Sequence, residues 1–367
     1  MKRSENQQHN IREYRAGSLE LESLPRVVYI EATNACNLRC PMCPITIGVA
    51  AYLYPVKYFD WGHFDLVRPY LETAERCMMS GGGEPLLHPR FLDMVAEVKK
   101  AGAQTIFNTN GTLLTETIAK ELVRLEADTI SFSVDGATPE TYARIRVGAD
   151  FDAVERNIAR LVKIKRAAGA ERPFLNLQMT LLDENRREIA AMVELAARWG
   201  IRHLVIEPLT PVFSEDDTYK NYYEKSHVKP EEVADDIRAA RDKAKLLGLI
   251  FSSHYLVLLG DEPGYGDPRS FRCVEPWINI GFRADGTIFP CCGTSHTVGR
   301  LESSASRSAK GGRPFQAWNN DEFRQLRDAF ARYDPPDYCN QCISEGRAMH
   351  FNEDLVGRGI YQGEKFP

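Results

Sequence analysis

The sequence predicts an α/β protein organised around a parallel sheet, with a differently built segment behind it. Three observations carry this. From residue 27 to about 250, short apolar β-rich runs alternate with amphipathic helical stretches; polar or glycine-rich loops follow the runs; and beyond 250 the alternation gives way to a hairpin-like, cysteine-rich stretch. Strands and helices alternating at this spacing build successive right-handed βαβ units. Loops at the C-terminal ends of such strands form the ligand-binding face.

Residues 1–26 begin MKRSENQQHNIREYRAG, which is polar and lacks the apolar stretch of a secretory signal, and are read as an N-terminal extension. The predicted strands are 27–33, 77–80, 105–109, 129–134, 174–181 and 203–209, and the helices 63–75, 90–101, 115–126, 151–168, 185–199 and 230–247. Together they make a core domain over 27–250. Its loops read NACNLRCPMCP, GGGEPLLHP, NTNGT, DGATPE and EPLTP, concentrating Cys, Gly, Asn, Asp and Pro. The acidic, aromatic stretch 211–230 reads as a solvated loop, with the lining of a substrate entrance as its alternative. In WINIGFRADGTIFPCCG two apolar runs flank Ala284, Asp285 and Gly286, a β-hairpin pattern. A Ser/Lys/Gly/Arg stretch at 302–314 reads as a mobile loop, and a helix opened by Asn319 or Asn320 follows. Residues 251–345 form this second, small α+β module, and 346–367 a tail.

A formal charge of −5 gives no basic footprint, so nucleic acid and anionic membrane are poor default partners. Lys163, Lys165 and Arg166 read as the solvated face of a helix. No run approaches the length of a membrane span. The expected location is cytoplasmic, where clustered cysteines mean metal or redox chemistry more often than disulfides.

Cys36, Cys40 and Cys43 are spaced as one face of a helix, but Pro41 and Pro44 oppose a continuous helix there. Structural zinc requires a fourth ligand, for which His63 or a distant cysteine stays open. An iron-sulfur cluster held by three thiolates, with one iron left for a ligand, suits this loop better. CxxxCxxC directly after a first strand resembles the signature of the radical S-adenosylmethionine (SAM) superfamily. The resemblance implies that Cys36, Cys40 and Cys43 bind a [4Fe-4S] cluster whose open iron chelates the amino and carboxylate groups of SAM, with Met42 beside the adenine. It also places Gly82, Gly83, Glu84 and Pro85 at the methionyl ammonium, where glycine permits close backbone approach. A sharp turn or a weak phosphate loop is the alternative for those residues. Asn110 in NTNG and Ser133 and Asp135 in SVDG would contact the SAM ribose, its carboxylate or the substrate; helix capping and turn formation are their alternatives. The resemblance covers roughly 27–210 and implies a partial (β/α)6 barrel.

Cys273, Cys291, Cys292, Cys339 and Cys342 form a second group, which zinc would also fit. The hairpin ending in Pro-Cys, the AWNNDEFRQLR helix and the final CxxC resemble the twitch and SPASM extensions of radical SAM enzymes. Because no cysteine follows Cys342, the resemblance implies one auxiliary [4Fe-4S] cluster, held by Cys273, Cys291, Cys339 and Cys342. Cys292 either replaces Cys291 or stands outside the set, and Cys77 reads as a buried apolar residue.

The implied activity is reductive cleavage of SAM to a 5′-deoxyadenosyl radical that removes hydrogen from a substrate C–H bond. A flavodoxin- or ferredoxin-type donor supplies the electron. An auxiliary cluster favours oxidation of the substrate radical, so the leading expectation is a dehydrogenase of a sugar- or aminocyclitol-like small molecule. A sugar epimerase and a peptide-modifying maturase are alternatives; the 26 residues before the first strand are too few for a peptide-recognition domain. An iron-sulfur or zinc-binding electron-transfer or interaction protein is the non-enzyme alternative. Gln178, Glu207, His254 and Arg272 are further candidates for binding or base roles, each with structure as the commoner use of such a residue.

Overall fold

The computed structural model describes residues 2–48, 54–210, 217–262, 272–291, 296–301 and 317–339. The strands are β1 (Val27–Ile30), β2 (Arg76–Met78), β3 (Gln104–Thr109), β4 (Thr129–Ser133), β5 (Phe174–Leu181), β6 (His203–Pro208), β7 (Ile250–Ser253), β8 (Asn279–Phe282), β9 (Thr287–Phe289) and β10 (Gly299–Arg300). They form a single sheet in the order β10-β9-β8-β1-β2-β3-β4-β5-β6-β7. From β1 to β7 every neighbouring pair is parallel. This is the open, partial barrel of an α/β protein. Burial alternates along β3, β5 and β6. One face, with Phe107, Ile130, Leu177 and Ile206, is sealed into the core, as strict alternation requires.

All six expected core strands are present. The first is shorter than predicted, and the boundary drawn at 250 falls where β7 begins. IFSS is four residues directly behind a helix, too short for its period to register. The helices are α1 (Arg3–Ala16), α2 (Pro44–Ile47), α3 (Trp61–Leu71), α4 (Phe91–Lys100), α5 (Glu116–Arg124), α6 (Pro139–Ile145), α7 (Phe151–Ala167), α8 (Ile189–Trp199), α9 (Asp217–Ser226), α10 (Ala234–Leu246), α11 (His254–Leu258), α12 (Glu275–Ile278) and α13 (Asp321–Ala331). Within the stretch expected to be a loop, 217–226 is helical as α9, while 211–216 lie outside the described residues. Asn320, of the two candidates, caps α13: its side chain accepts from Phe323 N at 2.9 Å.

The predicted hairpin exists as β8 and β9, paired antiparallel. It does not stand apart from the core, because β8 lies parallel to β1 from Val27↔Asn279 to Ile30↔Phe282. The N-terminal extension is also integral. Asn10 Nδ2 donates to Trp277 O at 2.5 Å, and Tyr14 OH to Arg272 O at 2.6 Å. Trp277 Nε1 donates to Ser18 O and Trp318 Nε1 to Ser23 O, each at 2.9 Å. Arg327 is completely buried. Its guanidinium donates to Pro276 O, Leu19 O, Asn319 Oδ1 and Trp318 O at 2.8–2.9 Å and lies over the Trp318 ring.

Candidate active site

The cysteine loop leaves β1 and is pinned to its neighbours by backbone and side-chain bonds. Thr33 Oγ1 accepts from Ala35 N at 3.0 Å, Cys43 N donates to Cys40 O at 3.0 Å, and Arg39 N donates to Val147 O at 2.9 Å. Pro44 opens α2 immediately after Cys43. The thiols share an apolar pocket with Leu38, Met42, Ile145, Leu182 and Leu209. Burial pushes the Cys36 and Cys40 thiols above the ordinary range, while Arg146 pulls both the other way. Among the described residues no three His, Cys, Asp or Glu side chains converge as they would around a single ion. Cysteines of a four-iron cluster each bind a different iron and so stand further apart than ligands of one zinc. Three thiols in one apolar pocket with a cation beside them therefore fit such a cluster. His63 lies against the hairpin turn at Gly286 instead of joining them.

The GGGE loop after β2 lies directly on this loop. Gly83 N donates to Thr33 O at 3.1 Å and Glu84 N to Ala35 O at 2.8 Å. A Cβ on Gly83 would stand 2.3 Å from Ala35 O, so only glycine lets the two backbones meet. Gly82 N donates to Glu31 Oε1 at 2.8 Å. Glu84 caps the turn that opens at Pro85; its carboxylate accepts from Thr109 Oγ1 and Asn110 N at 2.7 Å. Burial pushes that carboxyl up, against the pull of these hydrogen bonds. Asn110 Nδ2 donates to Asn37 Oδ1 at 3.0 Å, tying the third loop to the first.

Asp135 is fully buried. Its Oδ1 accepts from Thr180 N at 2.7 Å, and its Oδ2 forms an ion pair with Arg146 Nε at 2.5 Å. Arg146 Nη1 stands 3.9 Å from Cys40 Sγ. The side chains of Glu84, Asn110 and Asp135 thus bind neighbouring loops of the chain itself. Ser133 ends β4, half-buried and opposite Gln178.

Along one face of β3 to β7 runs a row of polar side chains: Asn108 to Gln178 (3.2 Å), Asn176 to Ser131 (3.1 Å), His203 to Asn176 (3.1 Å) and His203 to Ser252 (2.9 Å). Burial pulls His203 down to about 4. Helix α9 rests over the cysteine loop, with Tyr222 and Tyr223 against the pocket of the three thiols. Of the other candidates, Arg272 is held by Tyr14, its Nη1 donating to Tyr14 O at 2.5 Å. His254 opens α11, and Glu207 sits half-buried on β6 opposite Thr180.

Of the second group, Cys273 is buried just before α12, and Cys291 and Cys339 are half-buried. Burial, then Cys339 and Cys291, hold the Tyr338 phenol above its usual value. Cys292, Cys342 and the stretch 302–314 lie outside the described residues. Cys77 is sealed in the core as expected.

Sequence reasoning missed Glu31 and Arg146. Glu31 accepts from Gly82 N, from Tyr54 OH and, at 3.0 Å, from Ala284 N, so one carboxylate joins the GGGE loop to the hairpin turn. A carboxylate next to the last residue of a buried strand was its only signal.

Residues 30–196 match the radical SAM superfamily. The chain is 31% identical over 207 residues to the tungsten-containing aldehyde ferredoxin oxidoreductase cofactor-modifying protein of Pyrococcus furiosus, a match covering 53% of this chain and 55% of that one. The chain thus spans just over half the length of that relative. It is 24% identical to the PqqA peptide cyclase of Xanthomonas campestris over 335 residues, 87% of this chain and 79% of that one. Its fold is shared with Streptococcus suis SuiB, solved bound to the precursor peptide SuiA, at a TM-score of 0.58 and 13% identity, covering 93% of this chain and 70% of that chain. The chain thus carries a radical SAM domain over residues 30–196, a family whose cofactors are SAM and a [4Fe-4S] cluster. No helix among the described residues is long and apolar enough to cross a membrane.

Proposed function

We propose that Cys36, Cys40 and Cys43 hold the SAM-binding cluster and that the chain oxidises its substrate with the help of an auxiliary cluster on Cys273, Cys291, Cys339 and Cys342. The observation that carries the first assignment is the backbone contact between the cysteine loop and the GGGE loop, which sets three thiols and a run of close-approach glycines side by side. Bound there, cluster and SAM supply a radical able to remove hydrogen from a C–H bond, given one electron from a small flavin or iron-sulfur donor protein. The chain's own residues do the rest. Gly82 and Gly83 admit the methionyl end, Met42 and the apolar pocket exclude water, and Ser133 and Gln178 face the space above the sheet. Glu84, Asn110 and Asp135 hold the loops in register.

The hydrogen-bonded polar row on β3 to β7 supports a hydroxyl-bearing small molecule as substrate, oxidised from alcohol to ketone. The match to a peptide cyclase over most of both chains favours a second reading, modification of a peptide. Anaerobically reconstituted protein given dithionite and SAM is expected to hold about eight irons per chain and to release 5′-deoxyadenosine. Replacing Cys36, Cys40 and Cys43 together with Ala should abolish release while keeping the second cluster's absorbance. Absence of 5′-deoxyadenosine from protein with a full iron complement would refute the proposal. Deuterium passing from labelled polyols, but not labelled peptides, into 5′-deoxyadenosine separates the two substrate readings.

A further inference from the structure

We infer that Arg146 is a positioning residue that sets the reduction potential of the SAM-binding cluster through Cys40, with Asp135 as the counterweight. The inference rests on the assignment of Cys36, Cys40 and Cys43 as that cluster's ligands. Its basis is a line of three groups: the Asp135 carboxylate, fully buried; the Arg146 guanidinium, in an ion pair with it at 2.5 Å; and Cys40 Sγ, 3.9 Å from Arg146 Nη1. The line joins the loop after β4 and the end of α6 to the cysteine loop, 106 residues away in sequence from Arg146 to Cys40.

The physics is that of a fixed charge in a medium of low dielectric. A guanidinium is a permanent cation in proteins, and that of Arg146 is held against the buried Asp135 carboxylate on one side and near Cys40 Sγ on the other. Adding one electron to a cluster held by thiolates makes the whole site more negative. A cation against one of those sulfurs stabilises the reduced form and raises the potential; charge and hydrogen bonding at the sulfurs are the established levers for such centres. Asp135 opposes the effect by neutralising part of that cation. Among the described residues, the other charged or titratable groups around the site include Glu84, buried near Cys36, Tyr142, buried beside Arg146, and Tyr222, which faces Asp135 and Cys40 from α9. Arg39 is turned to the carbonyls of Cys36 and Leu38 at 2.9 and 2.8 Å, not to a sulfur. Arg146 is therefore the cation placed to act on a thiolate, and the pairing with Asp135 fixes how much of its charge the sulfur meets.

The test is a mediated reductive titration of reconstituted enzyme without SAM, followed by the low-temperature EPR signal of the reduced cluster, in a background where Cys273, Cys291 and Cys339 are replaced with Ala. Arg146→Gln is expected to move the midpoint to lower potential, Arg146→Lys to stay near the parent, and Asp135→Asn to move it higher. A midpoint for Arg146→Gln equal to the parent, or a shift of Asp135→Asn to lower potential, overturns the inference. If Arg146→Gln fails to take up iron, the direction of the Asp135→Asn shift decides. An unchanged midpoint together with weakened SAM binding in Arg146→Gln would assign Arg146 to SAM and also overturn it. If the parent itself gives no reducible cluster, the ligand assignment fails and not the role of Arg146.

Discussion

Replacing Gly83 with Ala asks whether the two active-site loops must touch backbone to backbone. The new methyl would lie 2.3 Å from Ala35 O, 2.5 Å from Thr33 O and 2.8 Å from the Asn34 carbonyl carbon. All three are main-chain atoms, so relief requires the loops to part by about 1 Å. That separation breaks the bonds from Gly83 N to Thr33 O (3.1 Å) and from Glu84 N to Ala35 O (2.8 Å). Two buried main-chain bonds lost in this way correspond to about 2–5 kcal/mol. Gly82→Ala is the matched control, because its methyl meets the tip of the Ile45 side chain at 2.5 Å, and Ile45 can turn aside for about 1 kcal/mol. Urea denaturation of the two variants beside the parent measures both costs, and iron uptake of each reports whether the cysteine loop still closes. Equal losses for Gly83→Ala and Gly82→Ala, or a smaller loss for the former, would refute the reasoning.

Glu31→Gln keeps the shape but replaces one acceptor with an NH2 group facing either Gly82 N or Ala284 N; a loss of about 1–3 kcal/mol is expected by denaturant titration, and unchanged stability would show that the carboxylate is not the joint. Arg327→Met leaves three carbonyls without their guanidinium donor and Asn319 Oδ1 with Leu21 N alone; about 3–5 kcal/mol should be lost. The second group of thiols should then lose its iron before the first, read as a fall in iron content while the SAM-dependent EPR signal persists. His203 stays neutral in the fold down to about 4, whereas an unfolded histidine takes a proton near 6.5. Its contribution to stability is complete above the unfolded value and drains away as pH falls from there toward 4, by on the order of 3 kcal/mol. Denaturation of apoprotein across that window should show the loss, and His203→Gln should flatten it.

What the sequence discloses is what its chemistry does locally. Three cysteines within eight residues, glycines before Glu84, and apolar runs broken by Asn and Asp are visible because each is complete within a short window. Arg146 is invisible by the same token, since its meaning lies in a sulfur 106 residues earlier and a carboxylate that itself reads as a turn residue. Helix α1 passes for a solvated tail because the residues it buries are Asn6, Asn10, Glu13 and Tyr14; a helix docked through polar side chains has no apolar stripe to betray it. Helix α9 hides likewise among charges and tyrosines. The hairpin was legible from its turn, but its alignment beside β1 depends on pairing across some 250 residues, from Val27 to Asn279.

That alignment acts as a ruler. Cys36 leaves the sheet from β1, and Cys291 follows β9, whose Phe289 faces Gly281 of β8, which in turn faces Tyr29. β1 and β9 therefore stand two strand spacings apart, about 10 Å, across a hydrogen-bonded lattice, and because β9 runs opposite to β1 the two groups of thiols depart from opposite ends of it. A flexible linker would let that interval breathe, and any electron exchanged across it would wait on diffusion. Here the gap is set once, when the chain folds, so transfer across it should be indifferent to solvent viscosity.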